Sequence, residues 1–340
     1  MKILPIGKLP PELLENLLKN IPSYDPKILI GPGTGLDCAV IDNGNSYLVF
    51  KSDPITFTAD NIGWYAVQIN VNDIVTTGAT PKWILTTLLL PENQTTNSLV
   101  EQITTQLIQA CAEYEISIIG GHTEITHGID RPILSATLIG TVNKNDLITP
   151  LGVQTGDHIL LTKGIPVEAT AIIAKNFQQQ LIPHMSLEEI ETAANFLFHP
   201  GISIYKEARL VSQTGEVTAM HDPTEGGLSA ALWELSMASQ KKLFIRPNAI
   251  HIPFLSKRIC EITQVDPMQA IASGALLMTV KPDSAQKIID LLDNKQIPCF
   301  DIGEVLGTGQ EVWIQQNDQI VLLNRPERDD ITKLFESRGE

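Results

Sequence analysis

The sequence predicts an α+β protein built from two αβ domains, one over residues 1–150 and one over residues 151–330. Three observations carry that prediction. A chain of 340 residues has room for two cores of ordinary size. Both halves mix short β-type apolar runs with helical apolar periodicity. Between them lies a polar, Gly/Pro-containing stretch, from Asn143-Lys144-Asn145-Asp146 to Pro150-Leu151-Gly152, with linker character.

Taken in order, residues 1–30 suggest an N-terminal arm with one short helix. Pro11-Glu12 at a helix start is followed by leucines at helical spacing. Lys8, after Gly7, fits a phosphate contact on such an arm and equally a solvated surface lysine. Cys38-Ala39-Val40-Ile41 and Tyr47-Leu48-Val49-Phe50 are strand-like, with a turn at Asp42-Asn43-Gly44-Asn45. Residues 64–77 predict a helix whose apolar face is Val67, Val71, Ile74 and Val75. Gly78 and Pro81 end it. A buried strand follows over 83–90, an amphipathic helix over 97–114, and short strands over 116–119 and 132–140. The first half therefore predicts the order β, β, α, β, α, β, β.

In the second half, Gly156 to Gly164 predicts a turn and strand, and residues 167–176 a helix. Helical regions follow over 186–198, 203–213, 229–239 and 284–294. Strand-like pieces occur at 275–280 and 312–314, with a strand end and turn at 303–309. No internal repeat is legible.

Composition excludes several function classes. The net charge of −15, with no Lys/Arg run, disfavours a nucleic-acid role built on phosphate neutralisation. The four cysteines, Cys38, Cys111, Cys260 and Cys299, are far apart and include no CxxC pair, which predicts buried free thiols rather than disulfides or zinc. The N-terminus lacks a signal-peptide core, and no 18 uninterrupted apolar residues occur; the expectation is a cytoplasmic protein with no membrane partner.

The chemistry concentrates in a few stretches. Gly31-Pro32-Gly33-Thr34-Gly35-Leu36-Asp37 leads into a strand. A glycine-rich loop brings backbone N–H groups close to an anion, and a carboxylate at the following strand can hold a divalent cation against it. Lys51-Ser52-Asp53-Pro54 offers a second carboxylate at a strand exit. Asn70-Val71-Asn72-Asp73 offers a third inside a helix. Asp37 and Asp53 as turn formers and Asp73 as a helix residue is the plain alternative; together the three suggest a magnesium–polyphosphate site. Gly120-Gly121-His122-Thr123-Glu124 places two glycines, an imidazole and a carboxylate at the end of a strand. It fits an acid–base or phosphate-contacting group and also a polar turn. His221-Asp222-Pro223-Thr224-Glu225-Gly226-Gly227 precedes a helix. Its glycines expose helix N-terminal N–H donors to an anion, unless Thr224 serves simply as the cap.

Familiar nucleotide and hydrolase signatures are absent: there is no GxxxxGK[ST], no complete GxGxxG, no GxSxG and no HExxH. The motifs that are present resemble those of the AIR synthase-related (PurM-like) superfamily. Their order matches: Gly-rich-Leu36-Asp37-Cys38-Ala39-Val40, Lys51-Ser52-Asp53-Pro54, Val71-Asn72-Asp73-Ile74-Val75-Thr76-Thr77-Gly78-Ala79-Thr80-Pro81, Gly120-to-Glu124, and His221-to-Leu228. The texture is nearest the group of the hydrogenase maturation protein HypE.

That resemblance implies an ATP-dependent enzyme using Mg2+, whose N-terminal domains pair into a homodimer with a shared β-barrel. It implies Asp37, Asp53 and Asp73 as metal-site carboxylates. Asp73, His122, Glu124 and Asp222 would be catalytic. Gly33, Gly35, Asn70, Asn72, Gly120, Gly121, Thr224, Gly226 and Gly227 would contact the nucleotide, the 222–227 loop closing the site from the second domain. There are departures. The sequence ends Phe335-Glu336-Ser337-Arg338-Gly339-Glu340 instead of the HypE Pro-Arg-Ile-Cys, and Leu36-Asp37 replaces an Asp-Asp pair. The expected activity is Mg·ATP-dependent activation of an amide or carbonyl oxygen, or phosphoryl transfer to a small acceptor. The alternatives are a non-catalytic nucleotide-binding scaffold in a maturation complex, or a kinase of the thiamine-monophosphate kinase type.

Overall fold

The computed structural model describes Leu4, residues 7–56 and residues 60–336. The extreme termini, on which the readings of a leader and of the C-terminal tail rest, lie outside the described residues. Two compact units are present. One comprises Ser23–Pro32 and Asp37–Leu147; the other comprises the described residues up to Pro22, Gly33–Leu36, and the chain from Ile148 onward. They are called the N-terminal and C-terminal units below. The helix predicted at the start of the chain, α1 (Pro11–Leu18), belongs to the latter.

The N-terminal unit is one mixed six-stranded sheet covered by two helices. Its elements are β1 (Ile28–Ile30), β2 (Ala39–Asp42), β3 (Ser46–Ile55), α2 (Ile62–Thr76), β4 (Thr80–Pro91), α3 (Asn97–Glu113), β5 (Ser117–Thr126) and β6 (Ile133–Asn143). The strand order is β1-β2-β3-β6-β4-β5, so the sheet is open, with β1 and β5 at its edges. Every neighbouring pair is antiparallel except β4 with β5. The central strand β6 alternates strictly between buried and half-buried residues, Leu134, Ala136, Leu138 and Val142 facing the core. Against that face lies α2, where the predicted stripe of Val67, Val71, Ile74 and Val75 is fully buried. The stripe is only part of it: Gln68, Asn70, Asn72 and Asp73 are buried too. The Tyr114 hydroxyl donates to Gln68 Oε1 at 2.6 Å, one instance of how this polar content is satisfied.

Three local expectations change. Ile28–Ile30 forms strand β1 rather than part of an arm; three residues give too short a pattern to register as a strand. Asp53 is not at a strand exit, because β3 runs on to Ile55 along the full length of β6. Pro54 is tolerated because β2 pairs only as far as Phe50, leaving one side of β3 without a strand partner. Gly120 and Gly121 likewise lie within β5, not after it. Between Ile84/Ile118 and Leu85/Gly120 the β4–β5 register shifts by one residue, and the glycines carry the strand past the bulge.

The C-terminal unit holds a seven-stranded sheet. In chain order it contains β7 (His158–Thr162), α4 (Val167–Asn176), α5 (Gln178–Leu181), α6 (Leu187–Ala194), α7 (Tyr205–Ser212), β8 (Val217–His221), α8 (Gly227–Ser239), β9 (Lys241–Ile245), α9 (Phe254–Thr263), β10 (Leu277–Val280), α10 (Ala285–Asp293), β11 (Cys299–Thr308), β12 (Val312–Gln316), β13 (Gln319–Leu322) and α11 (Thr332–Glu336). The order is β13-β12-β9-β11-β7-β10-β8, antiparallel apart from β9 with β12. One core joins the sheet to α8 through Leu228, Leu232 and Leu235. A second gathers α4, α6 and α9 with Ile331 and Leu334 at the end of the chain. Strands β8, β9 and β13 and helices α5, α9 and α11 escape the sequence reading, since short runs such as Lys241-Lys242-Leu243-Phe244-Ile245 carry too little period to assign. Among the described residues no helix is long and apolar enough to cross a membrane.

Gly121 illustrates how tightly the N-terminal sheet is drawn. Its φ is +149°, and a Cβ there would sit 1.9 Å from the Thr86 carbonyl oxygen. Gly121→Ala is expected to lower unfolding free energy by roughly 2–4 kcal/mol. Gly307→Ala, where a Cβ meets no atom within 4 Å, is expected to stay within about 0.5 kcal/mol. Urea unfolding of both variants checks this.

Candidate functional site

In the N-terminal unit two of the three aspartates singled out by sequence, Asp53 and Asp73, meet at one ammonium group, that of Lys51. Lys51 and Asp53 are two residues apart on β3 and so project to the same face. Lys51 Nζ lies 3.2 Å from Asp53 Oδ2 and 3.2 Å from Asp73 Oδ2, Asp73 reaching it from the buried middle of α2. Asp37, just ahead of β2, also acts on it electrostatically. Burial opposes the charge on Lys51, yet the carboxylates of Asp73, Asp37 and Asp53 outweigh that penalty and hold its pKa well above the usual lysine range. Lys51 is the residue that sequence reasoning missed. Its proximity to Asp53 in the chain was visible, but nothing in the sequence says that Asp73 folds onto it.

Neighbouring groups fix these side chains. Asn70 bridges α2 to β3: its Oδ1 accepts from the Asp53 N–H at 3.2 Å, and its Nδ2 donates to the Ala66 carbonyl at 2.8 Å. The Asp53 amide thus finds a partner on the side of β3 that β2 has left. Asn72 is fully buried on the same helix. The Cys38 thiol donates to the Asp73 carbonyl oxygen at 3.4 Å, tying the start of β2 to α2. Oxygen-only ligands in a buried, net-acidic cluster match the donor preference of a hard divalent cation such as Mg2+.

His122 and Glu124 pair on β5, Nε2 to Oε2 at 3.1 Å, with 65% and 47% of their side chains exposed. Among the described residues their contact is with each other, not with the Lys51 cluster. The whole of β5 through Ile125 is exposed, including Ile118, Ile119 and Ile125.

The remaining predicted residues lie in the C-terminal unit. Gly35, at φ +73°, abuts the Glu234 carbonyl of α8, where a Cβ would come within 2.4 Å; close packing accounts for this glycine. Gly33 precedes it in the same short segment. Lys8 Nζ donates to Thr224 Oγ1 at 3.3 Å and lies 3.9 Å from Glu234 Oε1. Buried His221 meets Glu234 Oε2 through Nε2 at 2.9 Å, and Asp222 beside it is buried. Helix α8 begins at Gly227, two residues earlier than predicted, with Gly226 in the left-handed region as its N-cap and Thr224 making no side-chain cap. The N-terminal donors there are engaged. Gly226 N–H donates to Asp329 Oδ2 at 2.7 Å, Gly227 N–H to the Thr224 carbonyl, and Ser229 N–H to the Met268 carbonyl. A carboxylate of the chain itself takes the place predicted for an anion.

Acidic groups crowd this helix start. Burial pushes the Glu168 carboxyl, in the first turn of α4, up to about 7; the Ser273 hydroxyl offsets part of this, while Asp329, Glu225 and Asp222 add to it. Burial likewise raises Asp329 to about 6 against two backbone N–H donors, from Gly226 and Ile331. The four cysteines are free and buried, and burial pushes Cys111 up to about 11 and Cys260 and Cys299 up to about 12. These three are therefore protonated and poorly nucleophilic near neutrality. Glu168 yields a pH prediction. Its folded-state value lies above the ordinary 4.5, so its contribution to stability is complete below that pH and is lost as pH rises through about 7. By pH 8 the loss amounts to roughly 3 kcal/mol. Urea unfolding at pH 5 and pH 8 should show Glu168→Gln gaining on wild type at the higher pH and losing most of that advantage at the lower.

Comparisons with known proteins agree with this architecture. Residues 35–142 match the model of the AIR synthase related protein N-terminal domain, and residues 154–316 that of its C-terminal domain. A candidate hydrogenase expression/formation protein of Methanocaldococcus jannaschii is 29% identical over 307 residues, covering 88% of each chain. Two solved structures share the fold. The hydrogenase maturation protein HypE in complex with ATP superposes at TM-score 0.69 and 20% identity, over 93% of this chain and 90% of that one. AaThiL complexed with AMPPCP and TMP superposes at TM-score 0.71 and 19% identity, over 94% of each. With both halves matched in the expected order, the chain belongs to the AIR synthase-related family.

Proposed function

We propose that this protein is a Mg·ATP-dependent enzyme of the HypE type, which activates an amide or carbonyl oxygen or transfers a phosphoryl group to a small acceptor. The observation that carries the reading is the meeting of Asp53 from β3 and Asp73 from α2 at the largely buried Lys51 ammonium, with the Asp37 carboxylate acting on the same group. Bound Mg2+ would neutralise phosphate charge as the γ-phosphoryl group moves. Asp37, Asp53 and Asp73 would hold that ion. Asn70, by fixing the Asp53 backbone, and Asn72 would keep the carboxylates oriented. In this reading residues 1–150 form the nucleotide-binding and dimerisation domain and residues 151–330 the second αβ domain. On the latter, Asp222, Thr224, Gly226 and Gly227 are offered to an anion, with Lys8 bonded to Thr224. For Gly226 to meet a phosphate, its bond to Asp329 has to open.

We further propose a homodimer formed through β5. A long edge strand with exposed Ile118, Ile119 and Ile125 is an unpaired template that soluble proteins ordinarily cover. A second copy would complete a barrel and enclose the His122–Glu124 pair, giving it a role in proton transfer. Free buried thiols and strong negative charge fit a reducing, cytoplasmic setting without nucleic-acid partners. A kinase reading is favoured by the equal likeness to AaThiL, which was solved with AMPPCP and TMP.

Calorimetric titration with β,γ-methylene-ATP and Mg2+ tests the first claim. Wild type is expected to bind, with Asp37→Asn plus Asp73→Asn weakening binding at least tenfold, about 1.4 kcal/mol or more. No binding by wild type, or undiminished binding by the variant, would sink the proposal. Phosphate transfer to thiamine monophosphate, assayed in parallel, decides for the kinase. For the dimer, sedimentation velocity should give twice the chain mass for wild type and one chain mass for Ile119→Lys.

A further inference from the structure

Lys51 adds something that a magnesium–nucleotide reading does not by itself contain. A lysine that merely decorates an acidic surface keeps its amine in water. Here the side chain is 13% exposed, and its ammonium sits equidistant, at 3.2 Å, from one oxygen of Asp53 and one of Asp73. That position between two carboxylates is where a cation bridging them would stand. Each of the two carboxylates has one oxygen in contact with the ammonium, so the lysine already fills the place of one bridging cation.

We infer that Lys51 is a tethered cation that substitutes for one metal ion in this site. The cluster then takes up one divalent ion per bound nucleotide where three unaccompanied carboxylates would take two. The inference rests on the nucleotide reading above and specifies it: the lysine sets the metal stoichiometry. The chemistry is direct. An ammonium and a hydrated divalent ion compete for the same carboxylate oxygens, and the ammonium is covalently held at high local concentration. Lysine also differs from Mg2+ in having no vacant coordination position. It can neutralise and orient Asp53 and Asp73, but it cannot bridge them to a phosphate oxygen by coordination.

The test counts metal ions and does not depend on turnover. Wild type, Lys51→Arg and Lys51→Met are dialysed to equilibrium against Mn2+ and β,γ-methylene-ATP, and the metal and analogue retained per chain are measured. One Mn2+ per analogue is expected for wild type and Lys51→Arg, and two for Lys51→Met. Should Lys51→Met fail to fold, Lys51→Thr removes the charge with a smaller polar side chain, and the same count of two is expected. Two ions per analogue in wild type, or one in the neutral variants, overturn the inference while leaving nucleotide binding intact. Failure of wild type to retain any analogue removes the nucleotide reading and this inference together. As a second readout, Mn2+ without nucleotide should raise the thermal midpoint of the neutral variant by more than that of wild type; an equal rise overturns the inference.

Discussion

Carboxylates brought together in a partly buried region, as Asp53 and Asp73 are, repel one another and lose hydration, a combination that is unfavourable unless a cation shares the space. Lys51 supplies that cation, and much of the N-terminal unit is arranged around letting it do so. At 3.2 Å each of its contacts with Asp53 and Asp73 represents a gross attraction of about 5 kcal/mol at the effective dielectric suited to such sites, before desolvation is deducted. Loss of the lysine would leave uncompensated charge inside the unit, which is a larger penalty than loss of an exposed ion pair.

The strand and helix that meet at Lys51 are shaped by the same demand. Helix α2 is buried almost all round, yet it carries Gln68, Asn70, Asn72 and Asp73. A helix in that position ordinarily has apolar residues throughout. The polar ones are accommodated through specific partners: Tyr114 for Gln68, the Asp53 amide for Asn70, and Lys51 for Asp73. Strand β3 in turn extends beyond its neighbour β2, which exposes the Asp53 amide to Asn70 and allows Pro54 in a paired strand. Polar content inside α2 and the overhang of β3 are two sides of one junction.

Much of this was legible in the residues. The helices over 64–77 and 97–114, the strand β4 and the acidic motifs follow from period, turn chemistry and motif order. What stayed hidden has physical causes. The meeting of Asp53 and Asp73 is a tertiary fact, and Lys51 gains its meaning only from that meeting. The Gly120-Gly121 pair resembles a loop because glycines usually break strands; here a register shift beside Ile119 and the close Thr86 carbonyl require them within one. The anion seat at Gly226 was legible as a helix N-terminus, but its occupant, Asp329, comes from 103 residues further along the chain.

The Lys51 cluster and the start of α8 handle buried acid in different ways, and the difference governs what each responds to. In the Lys51 cluster the balancing charge is an ammonium held well above the usual lysine range, so it stays charged through the physiological range. Around the start of α8 in the C-terminal unit the balance comes largely from protons. Glu168 near 7 and Asp329 near 6 change charge where cells operate, and Asp329 does so while its carboxylate caps α8. Protonation of Asp329 weakens its acceptance from the Gly226 N–H, because a charged acceptor makes the stronger bond. Acidification thus loosens the seat at the start of α8, whereas Lys51 keeps its charge.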